Sequence, residues 1–370
     1  MTDAVLITGG AGFIGSHVGR ELVEHGYRVR ALDVLDPQVH ERGQRPAYLH
    51  DDIELLVADV RDHDALRGAV EGMDHVVHFA AKVGVGQSMY EIADYTGVNT
   101  FGTGVLLQAM ADRAFGRLVV ASSMSVYGEG LYRSGSDLHW NVERTSDQLA
   151  RHQWDPAGPA GEALEPLPTP ETKPVSLASV YALGKYDQER LCLLYGSTYD
   201  VPTVALRFFN VYGRDQALSN PYTGVLAIFA ARYLNEKPPL IFEDGEQRRD
   251  FVSVTDVARA CRLALTTADV AGEIVNIGSG RSSTVLEIAE LLAKATGKDD
   301  IEPEITRKYR VGDIRHCFAD VTRAREVLGF EAEVQLEDGL ADLAAWLEGQ
   351  VAVDRVDVAA DELARRGLAR

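Results

Sequence analysis

Between residues 4 and 33 the chain sets out an apolar run, a glycine-rich turn, an amphipathic stretch, a second apolar run and an acid. Few folds accept those parts in that order. Ala4-Val-Leu-Ile-Thr8 has the length and apolar character of a strand buried on both faces. Gly9-Gly-Ala-Gly12-Phe13-Ile14-Gly15 follows, and its G-x-x-G-x-x-G spacing permits a tight turn, close approach of backbone to a pyrophosphate, and close helix–strand packing. A helical stretch then runs to His25-Gly26, and Tyr27–Asp33 reads as the second strand, with Asp33 at its end. A carboxylate at that position accepts hydrogen bonds from adenosine ribose hydroxyls and repels a 2′-phosphate. No Arg or Lys follows it immediately, so NAD is expected rather than NADP. His17, on the first helix, is read as a packing or solvated residue.

The alternation continues. Leu55–Ala58, Asp74–His78 and Arg117–Ala121 are strand-like with helical patterns between them. That order implies right-handed crossovers and a parallel sheet covered on both faces. Ser122 and Ser123 fall just past the end of one strand, where open α/β sheets bind their ligands. Downstream, Tyr181-Ala-Leu-Gly-Lys185 opens a helix expected over Val180–Tyr199. A spacing of four places the phenol and the ammonium on one face. A neighbouring positive charge favours the ionised phenol, which makes it a usable base near neutral pH.

Residues 129–175 interrupt the pattern: Trp154–Gly161 and the prolines at 166, 168, 170 and 174 exclude regular helix or interior strand. They are expected to form an inserted loop, partly helical around Asp137–His152, either a lid or a solvated excursion. After residue 210 the elements shorten and become rich in Gly, Pro and Arg. The expected organisation is a dinucleotide-binding domain over 1–208, with 252–276 returning to it, and a substrate lobe from 209–251 and 277–348. A terminal amphipathic helix over 349–370, docked or frayed, is expected to have no bearing on the chemistry.

At 370 residues, 46% apolar and 25% charged, the chain has ample material for a core. It contains no run of eighteen apolar residues and enters a strand directly, so neither a membrane span nor a signal peptide is expected. Cys192, Cys261 and Cys317 show no metal-ligand spacing and suggest a reducing, cytoplasmic setting. A net charge of −19 argues against a nucleic-acid partner. An anionic substrate must therefore meet a local basic pocket.

The chain resembles the extended short-chain dehydrogenase/reductases, specifically the NAD-dependent sugar-nucleotide epimerase/dehydratase family, over residues 3–345. The resemblance is carried by Thr8–Gly15, Asp59-Val60, His78-Phe-Ala-Ala81, Asn99, Ser122-Ser-Met-Ser-Val-Tyr-Gly128 and Tyr181–Lys185. It continues through Arg207–Gly213, Gly245–Phe251 and Arg310-Val-Gly-Asp313. It implies an α/β fold, a Rossmann-type doubly wound parallel sheet with a smaller C-terminal α/β substrate lobe, NAD as cofactor, and a homodimer. The dimer would form through Leu191, Leu194 and Tyr195 and the helix around Thr103–Phe115. Tyr181, Lys185 and Ser123 carry over as the catalytic set. Cofactor contacts fall on Gly9, Gly12, Phe13, Ile14, Gly15, Asp33, Asp59, Val60, Ala80, Ala81, Lys82, Asn99, Ser122, Tyr181, Lys185 and Phe208. Substrate contacts fall on Gly84, Gly86, Ser88, Ser123, Asn210, Asn220, Tyr222, Arg249, Arg310 and Asp313. Some relatives carry a Cys-Pro-x-Cys-Gly metal knuckle in the insertion; Gly and Ala stand in place of its Cys here, so no metal is expected.

In the family's dehydratases the two residues after the catalytic Ser/Thr are acids, and in its decarboxylases a Glu stands two residues before the motif's Tyr. Met124 and Ser125 occupy those places here, and neither can abstract a C5 proton or protonate a leaving hydroxide at neutral pH. The resemblance then implies reversible oxidation at C4 of a nucleotide-linked hexose and return of the hydride to the other face. The substrate would be a dTDP-linked 6-deoxyhexose such as dTDP-L-rhamnose, or UDP-glucose or UDP-glucuronate. Two alternatives stay open: a 4,6-dehydratase or UDP-glucuronate decarboxylase using Glu129 or an insertion residue as its acid, and a catalytically silent NAD-binding regulator. The intact Ser/Tyr/Lys set and the arginines speak against the regulator.

Overall fold

The computed structural model describes residues 2–40, 43–222, 224–310, 312–352, 354 and 356–369; Val311, within the run Arg310–Asp313, lies outside them. Its centre is a seven-stranded sheet. In chain order the strands are β1 (Ala4–Thr8), β2 (Arg28–Asp33), β3 (Glu54–Val57), β4 (His75–His78), β5 (Arg117–Ser123), β6 (Thr203–Phe208) and β7 (Ile274–Ile277). They lie side by side as β7-β6-β5-β4-β1-β2-β3, and every pairing is parallel. The order reverses between β1 and β4, which opens a crevice at the strands' carboxyl ends.

Side-chain alternation along β1 shows how both faces are covered. Val5 and Ile7 pack with Val18 and Leu22 of α1 (Phe13–Glu24) and with Val257, Ala260 and Ala264 of the returning helix Val254–Thr266. Ala4 and Leu6 face the other way, onto Leu106 and Met110 of α2 (Gly102–Met110) and Cys192 of α3 (Val180–Tyr199). The Ser179 hydroxyl accepts from the Ala182 amide and caps α3 two residues before Tyr181, which lies in its first turn.

Strand β5 runs two residues further than expected, because Ser122 and Ser123 pair in register with Arg207 and Phe208. A second core forms where α4 (Val225–Leu234), α5 (Val285–Ala295) and α6 (Leu336–Leu347) meet, around Phe229, Ile288, Leu292, Leu340 and Leu343. Among the described residues no helix is long and apolar enough to cross a membrane.

Residues 129–175 differ from the expected loop. They form a three-stranded antiparallel sheet of Leu131–Ser134, Asp137–His139 and Glu165–Leu167, and helix is confined to Ser146–Ala150. Buried charge pins this sheet to the segments around Glu243 and Arg315. Arg144 Nε donates to Glu129 Oε1 at 3.1 Å and its Nη1 to Glu243 Oε1 at 2.7 Å, while Arg315 meets Asp155, Glu243 and Asp244. The C-terminal helix α7 (Val356–Arg365) docks on the molecule.

Candidate active site

A cavity of about 800 Å³ runs along the carboxyl ends of the central strands to the second core around Phe229. Its adenosine end is built by the glycine turn. Gly9 has φ +70° and donates its amide to Leu32 O at 2.7 Å, and a Cβ on Gly15 would lie 2.2 Å from Gly9 O. Only glycine permits that turn. Asp33 sits at the end of β2, its carboxylate accepting from the Ala11 amide at 3.1 Å and the Leu35 amide at 2.9 Å. A cradle closed to any Cβ, with a fixed carboxylate beside it, fits the pyrophosphate and adenosine ribose of NAD. At the neighbouring strand end Asp59 accepts from Arg61 Nε at 3.0 Å and Nη2 at 2.6 Å, which holds its carboxyl below the usual range.

Tyr181, Lys185 and Ser123 come together where this cavity meets the second lobe. The Ser123 hydroxyl accepts from the Ser125 hydroxyl at 3.0 Å and from the Ser125 amide at 3.2 Å, leaving its own proton to donate. Burial pushes the Tyr181 phenol up, and hydrogen bonding to Ser123 opposes that shift. The expected pull of Lys185 on the phenol is not what this arrangement shows: the ammonium donates to Gln188 Oε1 at 2.8 Å, one helical turn away. Burial brings Lys185 down to about 8. Beneath it lies a polar network that sequence reading missed. Gln188 Nε2 donates to Ala80 O at 3.1 Å and lies 3.0 Å from His78 Nε2, and His78 Nδ1 lies 2.7 Å from Thr8 Oγ1. Burial and the nearby Lys185 lower His78 to about 3, so it is neutral.

The substrate end holds the expected arginines. Arg249 is aimed by donating to the carbonyls of Arg248 and Arg315, each at 2.9 Å, and to Ile314 O. Arg310 pairs with Asp313 at 2.9 Å and stacks 4.7 Å from the Phe242 ring centre. Asp313 thus faces a guanidinium in this arrangement, and Arg310 holds its carboxyl below the usual range although burial acts the other way. Asn210, Gln216 and Gln247 line the same region with buried side-chain oxygens that accept no hydrogen bond among the described residues. They are open to a polar ligand.

Most of the expected contact residues line the cavity: Gly9, Gly12, Phe13, Ile14 and Gly15, then Val60, Ala80, Ala81, Lys82 and Phe208, and further along Gly84, Gly86, Asn220 and Tyr222. Ser88 and Asn99 do not. Ser88 is fully buried, its hydroxyl donating to Val85 O and accepting from the Tyr181 amide at 3.0 Å, so it ties a turn to α3. Asn99 is also fully buried and brackets the Lys82 backbone, accepting from its amide at 2.8 Å and donating to its carbonyl at 3.1 Å. Ser122 reaches the wall, but its hydroxyl donates to Glu189 Oε2 at 2.6 Å, a carboxylate already held by Arg207. Glu129 is off the cavity altogether. It accepts from Tyr132, Arg144 and the amides of Arg315 and His316. No residue of 129–175 lines the cavity among the described residues, whereas Ala359, Ala360 and Leu363 of α7 do. The insertion lies off the cavity in this arrangement, and the terminal helix lines it.

Residues 5–148 and 156–278 match the NAD dependent epimerase/dehydratase family. The chain belongs to this family. It is 34% identical over 353 residues to the dTDP-L-rhamnose 4-epimerase of Burkholderia thailandensis, covering 93% of this chain and 94% of that one. It superposes with TM-score 0.76 and 31% identity on the UDP-glucose 4-epimerase of Thermotoga maritima solved with UDP-glucose, over 93% of this chain and 98% of that one. The UDP-glucose 4-epimerase of Thermus thermophilus, solved in complex with NAD, gives TM-score 0.74 at 29% identity over 94% and 100% of the two chains. Family membership and the glycine cradle agree on NAD as the cofactor. As a member of this family the chain has two supports that no short motif would signal: Gln188, which aims the lysine, and α7, which lies beyond the residues the family match covers.

Proposed function

We propose that this protein is an NAD-dependent 4-epimerase of nucleotide-linked hexoses, with a dTDP-linked 6-deoxyhexose as its preferred substrate. The observation that carries the reading is the company Ser123 keeps. The positions where elimination chemistry needs acids hold Met124 and Ser125, and Ser125 is engaged with Ser123 itself. The carboxylate nearest Ser123 in sequence, Glu129, is taken up by four donors behind the wall. Without an acid at C5 and C6, water is not eliminated, and for a sugar with no carboxylate at C6 chemistry stops at C4.

Bound NAD supplies the group that accepts the hydride from C4 and gives it back. The protein's part is to hold and move a proton at O4. Tyr181 takes that proton as C4 is oxidised and returns it afterwards, and Ser123 donates to O4 and steadies the charge that develops there. Lys185 keeps ammonium protons beyond the one it gives to Gln188 Oε1 and would hold bound NAD with them. Arg249 and Arg310 grip the pyrophosphate through forked guanidinium groups, so the nucleotide stays fixed while the keto sugar rotates. The 34% identical dTDP-L-rhamnose 4-epimerase supports the choice of substrate.

Replacing Tyr181 by Phe tests the assignment. Turnover of dTDP-sugars is expected to fall by about a hundredfold to ten-thousandfold, with NAD still bound. Undiminished turnover would remove Tyr181 from the chemistry. A homodimer is part of the same proposal: Phe101, Leu183 and Leu194 are 55%, 43% and 64% exposed on neighbouring helical faces that a second copy would cover. The buried, unpaired cysteines support a cytoplasmic setting.

A further inference from the structure

α7 is strapped across one end of the cavity. Ahead of its first turn, Asp354 accepts from Arg232 Nη1 at 3.2 Å and Lys237 Nζ at 2.9 Å, which anchors the segment to the end of α4. Past its last turn, Ala369 forms an antiparallel bridge with Arg310, and the Arg366 guanidinium lies 4.1 Å over the Tyr90 ring. Between these anchors Ala359 and Leu363, one turn apart, face the cavity, while Val358 on the outer face is 68% exposed. Leu363 packs on the turn at Gly86, where a Cβ would lie 3.1 Å from Leu363 Cδ2. The same turn ends in Ser88, whose hydroxyl accepts from the Tyr181 amide at 3.0 Å. The helix therefore shares one turn with the hydroxyl that fixes the start of α3, where Tyr181 stands.

We propose that α7 is a specificity wall for the sugar: in one of the two orientations between which the keto sugar turns, Ala359 and Leu363, with Val85, meet C6 of the hexose with an apolar surface and select a methyl group there. This rests on the 4-epimerase reading, which places the sugar beside Tyr181. A methyl gains contact with these side chains. A hydroxymethyl in the same place buries a hydroxyl against groups that cannot hydrogen-bond. A carboxylate fares worse, since Lys82, the ammonium closest in sequence to the turn, already donates to Glu91 at 3.2 Å and to Asp94.

The test uses a dTDP-6-deoxyhexose and a dTDP-hexose of the same ring configuration, differing only at C6. The wild-type protein is expected to favour the methyl sugar in kcat/KM by about 10- to 100-fold, the range an apolar pocket allows. Leu363→Ser, and separately a chain ending at residue 350, should bring the ratio toward equality, while Val358→Ser keeps the wild-type ratio. A wild-type ratio near one, or an unchanged ratio in folded Leu363→Ser, overturns the proposal; should the shortened chain not fold, the point variant decides. Calorimetric Kd values for the two sugars, measured in a Tyr181→Phe background, read the same preference without turnover. A selective binder that makes no 4-epimer would contradict the epimerase reading and leave the wall in place.

Discussion

Lys185 is placed for chemistry at a cost to the fold, and replacing it by Met measures that cost. Its ammonium is fully enclosed and titrates at about 8 instead of 10.5. A shift of that size penalises the charged form in the folded protein by about 3 kcal/mol. Below pH 8 the lysine is charged in both folded and unfolded chains, and the whole penalty is present. Between pH 8 and 10.5 the unfolded chain binds a proton that the folded one does not, so stability rises with pH as the penalty is relieved. Met conserves volume and carries no charge. Against this gain stands the charge-assisted hydrogen bond to Gln188 Oε1 at 2.8 Å, whose loss leaves a buried oxygen unsatisfied and costs about 2 kcal/mol. The variant should be inactive, yet more stable than the wild type by about 1 kcal/mol at pH 7. At pH 9 the margin narrows by about 1 kcal/mol, because the wild type has by then shed part of its penalty. Urea unfolding of NAD-free protein, followed by tryptophan emission at both pH values, reads the margin, and other titrating groups cancel in the difference. A variant less stable at pH 7, or a margin indifferent to pH, would refute the claim that burial of the ammonium dominates at this site.

Two further outcomes follow from the same geometry. Glu129→Gln removes the charge opposite Arg144 in a buried cluster and should destabilise the fold by about 3 kcal/mol, the low end for a broken buried pair because Glu243 still meets Arg144; its product should remain mass-neutral, and lost turnover in a fully stable variant would put Glu129 in the chemistry. Sedimentation should find the 40.4 kDa chain as a dimer, and Leu194→Glu should shift it toward monomer; a wild-type monomer would leave the exposed Phe101, Leu183 and Leu194 without a partner.

Where the sequence could be read and where it could not has a physical pattern. Local order was legible: the glycine spacing, Asp33 at a strand end, and Tyr181 one turn ahead of Lys185 are set by nearest neighbours along the chain. The strands of the insertion are only three or four residues long, and one contains Pro166. Such strands are too short for a period of two to show, and a proline within one suits only an edge. Glu129 looked like a neighbour of the catalytic serine because it follows closely in sequence. Gly128, at φ +63°, turns the chain away, and the partners that claim the carboxylate come from as far as 187 residues downstream. The amphipathic pattern of α7 was equally visible, but not what its apolar face covers, since the turn at Gly86 and the anchors on Arg232 and Arg310 are remote in sequence. Ser88 and Asn99 show the same limit: each is beside the site and each hydrogen-bonds its scaffold.

The central claim is that chemistry here stops at C4. Incubating the protein with dTDP- and UDP-sugars in D2O, read by NMR and mass spectrometry, tests it directly. The account predicts a 4-epimer of unchanged mass with no deuterium bound to carbon. Loss of water or carbon dioxide, or deuterium at C5, would contradict it; loss of water would mean that some acid other than the sequestered Glu129 reaches the sugar.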